Sequence, residues 1–464
     1  MDAPAKDYRA YSYWLETCGD DLTPRPALDG PREVDVAILG AGFTGLWTAY
    51  YLLRRDPALR VALVEREIAG FGASGRNGGW CSAGFPVTPG MLERRFGRDA
   101  ARATLEAMIG AVDEVGRACR EEGIDAHYVK GGALRIARGR HQLPGLTRGL
   151  AAYERLGLAG HYELLDAAQV ATRVRVAGAL GGLATPECAT IHPGRLVRGL
   201  ARAVERRGAT IYERTAVTGY TPGAAPRLHT AAGDVRARAI VLAGEAYLSQ
   251  LPQLRRRLMP VYSLIVLTEP LTDAQSREIG WEGRECLSSL RLSVDYLSRT
   301  ADGRILFGGR GAPYRFGSRI ADAYDRHEPT HALLRTMARE WFPALRDVRF
   351  THAWGGPLGM PRDWLPTMSF DRATGVAIAG GYTGQGVATA NLSGRVLADL
   401  ITETDSPLNA LPPVGHDLPR WEPEPLRWLG VRYVQEGYAR LDDRSARTGR
   451  PPDGTSLPER LGRH

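Results

Sequence analysis

The sequence predicts an α/β protein: a Rossmann-like dinucleotide-binding domain interleaved with a second domain built on a mixed or antiparallel sheet. Three observations predict it. First, residues 34–39 and 60–64 are short apolar runs on either side of a proline-free helical stretch, 43–53, whose first turn is packed with glycine. Near-continuous apolar runs mark strands covered on both faces, as in parallel sheets. Second, runs of the same kind return late, at 239–243 and 376–379. Third, residues 261–267 and 304–307 between them carry the β-branched and aromatic residues of a separate sheet.

Taken in chain order, residues 1–32 read as an N-terminal arm with Tyr11, Tyr13 and Trp14 among polar neighbours. The nucleotide domain takes 33–90, returns at 189–245 and closes at 366–405. Within it, 196–206 is helical, 210–213 is a strand, and 387–401 is a helix opened by a Gly-rich turn. The second domain takes 91–188, where helical patterns alternate with Gly-rich turns, and 246–365. Residues 406–464 form a C-terminal extension rich in proline and charge. Its amphipathic stretch, 425–441, is expected to pack back on the body, and the chain after about 447 to fray.

Composition narrows the function. With 44% hydrophobic and 24% charged residues, the 464-residue chain is an ordinary globular protein, not a disordered one. No apolar run approaches the roughly 18 residues of a membrane span. The first residues lack the apolar segment of a secretory leader, so a cytoplasmic location is expected. The net charge of +8 comes from arginines scattered among 52 acids, which does not predict a nucleic-acid partner. Lys6 and Lys130 are the only lysines, which disfavours Schiff-base chemistry. Cys18, Cys81, Cys119, Cys188 and Cys286 are far apart with no Cys-x-x-Cys pair, as in a reducing compartment.

The chemistry-bearing motifs are glycine clusters. Gly40-Ala41-Gly42-Phe43-Thr44-Gly45 joins the first strand to the first helix. Its glycines permit the tight turn, the approach of a pyrophosphate, and close helix–strand packing. The helix N-terminus offers N–H groups and a partial positive charge to phosphates. Glu65 follows Gly45 by 20 residues, beside Arg66, where a ribose hydroxyl would be held. A second Gly-rich loop runs from Gly70 to Gly79, and a third from Gly380 through Gly381 to Gly386. NAD needs no third contact. FAD does, because its ring gains electron density on reduction that backbone N–H groups at a helix start would stabilise.

Residues 34–80 and 380–395 resemble the D-amino-acid-oxidase-like family of FAD-dependent amine oxidoreductases. Within that family, the run Gly72–Gly79 and the triplet Ser12-Tyr13-Trp14 are most similar to the gamma-glutamylputrescine oxidase branch. The resemblance implies FAD; some members attach it through a side chain, and here a non-covalent cofactor is expected. It places the ADP on Gly40, Gly42, Gly45 and Glu65, with Phe43, Thr44 and Arg66 in the same binding stretch. It places the pyrophosphate and ring near Ser74, Arg76, Asn77, Gly78 and Gly79. Val217 matches the position whose backbone meets adenine, and Ala243-Gly244 a turn near the phosphates. Gly384, Gln385, Gly386 and Val387 match the loop that closes on the flavin. Cys81 follows Trp80 near a position that carries a linking side chain in one branch.

The implied reaction moves a hydride from the carbon next to an amine nitrogen to flavin N5, leaving an imine that hydrolyses. Secondary amino acids of the sarcosine or glycine type and aminophosphonates are alternative substrates. Neither lysine falls in a matching segment, so a dehydrogenase using an acceptor other than oxygen stays open. A flavin binder without turnover and a nucleic-acid-associated flavoprotein are readings of other classes. Tyr262, Arg310, Trp354 and Tyr382 are the candidate substrate contacts, Arg310 by a two-pronged bond to a carboxylate or phosphonate. His327-Glu328-Pro329-Thr330-His331 mimics a zinc-protease pattern, but Pro329 is expected to break the helix that pattern needs, so no metal is expected.

Overall fold

A computed structural model describes residues 6–310 and 314–462. Its centre is a six-stranded sheet in the order Thr367–Asp371, Val376–Gly380, Ala239–Leu242, Val36–Leu39, Val61–Val64, Thr210–Tyr212. All neighbours run parallel except the first two. The apolar runs are buried on both faces, as their composition requires. The helices Phe43–Arg55 and Gly386–Ile401 pack together over this sheet. Gly394 allows it: a Cβ there would lie 2.6 Å from Trp47. Helix Arg98–Glu121 packs beside them.

The second sheet has eight strands. Its order is Phe350–Met360, Met259–Thr268, Ile305–Arg310, Asp295–Arg299, Cys286–Ser289, Ala133–Ala137, Gly181–Thr185, Glu163–Asp166. Only Cys286–Ser289 and Ala133–Ala137 pair in parallel; the rest are antiparallel. The sheet is therefore mixed and joins early and late parts of the chain. Helix Glu328–Trp341 covers one face, over a core that includes Tyr262, Leu264, Val266, Leu297 and Phe307. Among the described residues no helix is long and apolar enough to cross a membrane.

Two expectations need correction, and the N-terminal arm is held in place. Tyr13 and Trp14 are buried, Ser12 Oγ donates to the Gly75 carbonyl at 2.7 Å, and Trp14 Nε1 donates to the Asn77 carbonyl at 2.7 Å. Its aromatic residues are core because a Gly-rich loop needs something rigid behind it. Residues 448–462 do not fray: Leu457–Gly462 is a short helix packed on Leu426–Thr448, with Glu459 buried. Pro329 does not break a helix; it starts one, in the first turn of Glu328–Trp341, where its missing N–H costs nothing. There His331 bonds the Trp354 carbonyl and His327 bonds Thr330, so the two rings serve separate partners.

The N-terminal segment also docks on a histidine. His192 caps helix Pro193–Arg206, its Nδ1 accepting from the Arg195 N–H at 3.2 Å, so its Nε2 carries the proton shared with Thr17 Oγ1 at 3.0 Å. Burial holds this imidazole neutral, down to a pKa of about 3. A histidine depressed in the folded state contributes stability above its unfolded pKa of ~6.5, and that contribution is lost as pH falls towards 3. Chemical denaturation should therefore show stability dropping as the pH falls below ~6.5. His192→Asn, which keeps the capping acceptor but cannot titrate, should flatten that slope.

Candidate functional site

One cavity of about 1480 Å³ runs between the two sheets. Ligand pockets commonly measure ~300–1,000 Å³, so this one has room for two ligands together. Residues of all three Gly-rich segments line it: Gly40, Gly42, Phe43 and Thr44; Ser74, Arg76, Asn77 and Gly78; Gly384, Gln385, Gly386 and Val387. Glu65, Arg66, Val217, Ala243, Gly244 and Tyr382 line it too. These turns meet because parallel strands end at one edge, and the chain leaving each strand enters the crevice beyond it.

The first turn is built by close approach. Gly40 has φ +97°, and a Cβ there would sit 2.9 Å from the Ala243 carbonyl oxygen. Gly45 does not reach the cavity; a Cβ there would collide with the Gly40 carbonyl, so its absence lets the helix lie on the strand. Gly79 and Gly381 likewise lie behind the lining. The Phe43 N–H at the helix start donates to Ser74 Oγ at 2.8 Å, which ties the first Gly-rich segment to the second.

Two carboxylates at the cavity wall hold the turns. Glu65 Oε2 accepts from Ala41 N–H at 2.9 Å and Oε1 from Glu67 N–H at 3.0 Å. Glu245 Oε1 accepts from Gly381 N–H at 2.9 Å and Tyr382 N–H at 3.0 Å, and Oε2 from Gly359 N–H at 2.5 Å. Burial pushes both carboxyls up, and these backbone donors pull against it. Glu245 escaped the sequence reading, although its position mirrors that of Glu65: an acid just past a buried strand.

Arg76 is fully spoken for. It pairs with Asp325, donates to Tyr247 Oη at 2.7 Å, and lies 4.7 Å from the Phe71 ring centre. Burial pushes Asp325 up to about 7 against the pull of Arg76. Tyr296, also missed, lies against Gly78, with its hydroxyl 2.9 Å from Ser263 Oγ. A strand tyrosine facing a Gly-Gly pair is a weak signal that only its neighbours make meaningful.

The substrate candidates fare differently. Tyr262 does not line the cavity. Strand side chains alternate, so Met259, Val261 and Ser263 face the cavity while Tyr262 faces helix Glu328–Trp341. Trp354 is also withdrawn: it is buried against Trp14, and its Nε1 donates to the Arg76 carbonyl at 3.0 Å. Tyr382 lines the cavity, but its hydroxyl is turned inward between Thr44 Oγ1 and Ser393 Oγ. Arg310 ends its strand opposite Ser263, and its side chain lies outside the described residues. Cys81 is buried in the core under helix Arg98–Glu121, and none of the five cysteines lines the cavity. Among the described residues no cluster of His, Cys, Asp and Glu could hold a metal ion.

A family model described as DAO, FAD dependent oxidoreductase, matches residues 35–400. The gamma-glutamylputrescine oxidoreductase of Escherichia coli K12 is 31% identical over 393 residues, 84% of this chain and 88% of that protein. A probable oxidoreductase OrdL of Rhizobium meliloti is 31% identical over 411 residues, 86% of this chain and 90% of that one. The crystal structure of glycine oxidase from Geobacillus kaustophilus shares the fold, with TM-score 0.68 and 21% identity over 83% of this chain and all of that one.

The cavity fits the cofactor named by that description: two helix starts border it, Glu65 and Glu245 stand at its wall, and it runs on between the glycine turns. Two outcomes follow. Glu245→Gln sets an amide NH₂ against backbone donors, so FAD affinity measured by fluorescence titration should fall at least about tenfold. Acid precipitation should leave the yellow colour in the supernatant, because no cysteine stands at the cavity wall.

Proposed function

Because this chain belongs to the DAO family of FAD-dependent oxidoreductases, we propose that it oxidises an amine or amino-acid-like substrate at the carbon next to nitrogen. FAD, when bound, would supply the acceptor for the hydride leaving that carbon; with loss of a proton from nitrogen the amine would become an imine, which water would hydrolyse. The observation that carries this reading is a single cavity bordered by all three Gly-rich segments and continuing past them between the sheets. The cofactor takes the glycine half, and the remainder is room for an amine.

On this reading Gly40, Gly42 and Glu65 hold the ADP portion, with Phe43, Thr44 and Arg66 around it. Asn77, Gly78 and the turn Ala243-Gly244 border the phosphates and ring. The start of helix Gly386–Ile401 borders the cavity, and its partial positive charge would favour the electron density a reduced flavin gains. Glu245 keeps that helix start in place through Gly381 and Tyr382. Tyr296, Ser263 and Val261 form a wall that orients the substrate and keeps water from the reacting carbon. No paired carboxylate or Ser-His-Asp arrangement is needed, because an amine entering uncharged gives up hydride without a strong base.

Gamma-glutamylputrescine is the compound named for one relative, and it is an amine with a long polar tail. An elongated amine of that kind suits a cavity of this size better than glycine or sarcosine. The test is anaerobic reduction of the FAD-loaded protein by a panel of γ-glutamyl diamine amides, polyamines, N-methyl amino acids and aminophosphonates. Bleaching is expected, fastest with the elongated amines. A flavin that stays yellow with every member would end the proposal. Reoxidation of the bleached enzyme by air, set against a soluble dye, separates an oxidase from a dehydrogenase.

A further inference from the structure

The cavity extends to a part of the chain beyond the span of the family match. Helix Leu426–Thr448 lies along it, and Arg427, Val431, Val434, Gln435 and Tyr438 line it at helical spacing. The helix is fastened at both ends. Near its start, Glu424 accepts from Tyr314 Oη at 2.7 Å, Gly317 N–H at 2.9 Å and Trp428 N–H at 3.0 Å. Towards its end, Asp442 accepts from Leu292 N–H at 2.9 Å, Ser293 N–H at 3.0 Å and Ser293 Oγ at 2.7 Å. The short helix Leu457–Gly462 packs against it, and its Leu461 and Gly462 also reach the cavity. This helix is therefore a fixed wall of the cavity.

The Asp442 end lies on the loop that follows strand Cys286–Ser289, and Ser288 of that strand is paired with Arg135. Both Ser288 and Arg135 line the cavity. The other arginines along it already have acids: Arg76 with Asp325, Arg291 with Asp442 at 3.6 Å, Arg362 with Glu422 at 3.0 Å, Arg427 with Glu424 at 2.9 Å, Arg432 with Glu436 at 3.3 Å, and Arg66 with Glu67 at 3.7 Å. Arg135 has no acid within ion-pair distance among the described residues. A cation that faces a cavity without a protein counter-charge favours an anionic ligand there.

We propose that this end of the cavity is a distal anion subsite. Arg135, with Ser288 beside it and the C-terminal helix along it, takes a carboxylate carried on the far end of an elongated amine. The inference rests on the amine-oxidation reading and deepens it: the enzyme selects its substrate by charge at the end remote from the nitrogen it oxidises. Charge-assisted bonds to a planar guanidinium provide the affinity, and the fixed helix sets how long the substrate must be.

The test uses FAD-loaded enzyme and pairs of amines identical at the reacting end, one member ending in a carboxylate and the other in its neutral carboxamide. In the wild type the carboxylate member should have the lower KM, and added salt should erode the preference. Arg135→Gln should raise KM for the carboxylate about tenfold or more while leaving the carboxamide KM and both kcat values unchanged. Arg135→Lys should restore part of the loss. Independently of turnover, the carboxylate member should slow hydrogen exchange over 426–448 in the wild type and not in Arg135→Gln. Arg135 is exposed, so its variants should keep the wild-type Tm. A wild type indifferent to far-end charge, or an Arg135→Gln that weakens both members alike, overturns the subsite and leaves amine oxidation standing. Failure of every amine to reduce the flavin overturns both.

Discussion

The site depends on how the backbone is satisfied where the parallel strands end. Chain leaving a buried strand carries N–H groups that neither the sheet nor water can take up, and such groups are costly to leave unpaired. Glu65 and Glu245 resolve this in the same way, one for each side of the crevice. Glu65 collects the N–H groups of Ala41 and Glu67 at the first turn. Glu245 collects those of Gly359, Gly381 and Tyr382 and so joins the second sheet to the late glycine loop. Desolvation raises both carboxyls, and the donors they hold offset it. If either carboxylate were removed, the turns would lose their common reference and the cavity its shape.

The rest of the site is layered on that frame by segments at the two ends of the chain. Before residue 35, where the family match begins, Ser12 and Trp14 brace the second glycine loop through the Gly75 and Asn77 carbonyls. Trp354 from the second sheet does the same at Arg76. The loop that borders the cavity is thus supported by two buried tryptophans that never touch the cavity themselves. After residue 400, helix Leu426–Thr448 closes the opposite side, pinned by Glu424 and Asp442. The core covered by the family match thereby gains a floor and a wall from segments outside that match. Such additions are where relatives of one fold can differ in substrate without altering how they hold their cofactor.

The frame was plain in the residues. Apolar runs at 34–39, 60–64, 239–243 and 376–379 became parallel neighbours in one sheet, and the glycine clusters between them became its turns. Local chemistry dictates these features: a glycine turn and a doubly buried strand each require particular residues at particular positions. The cofactor class followed for the same reason, since three Gly-rich segments in that order serve an extended dinucleotide.

Facing and partnership were not plain. Tyr262 sits one position from cavity-facing residues and so points the opposite way, because strand parity is invisible until a helix covers one side. Trp354 has the right parity but lies where Trp14, 340 residues earlier, covers the sheet. The partners of Glu245 and Tyr296 likewise come from segments far along the chain. Sequence spacing determined conformation and periodicity, and through them the fold and the nucleotide turns. Only the tertiary structure decided which faces are covered and which charges are paired, because those depend on long-range neighbours that no local pattern encodes.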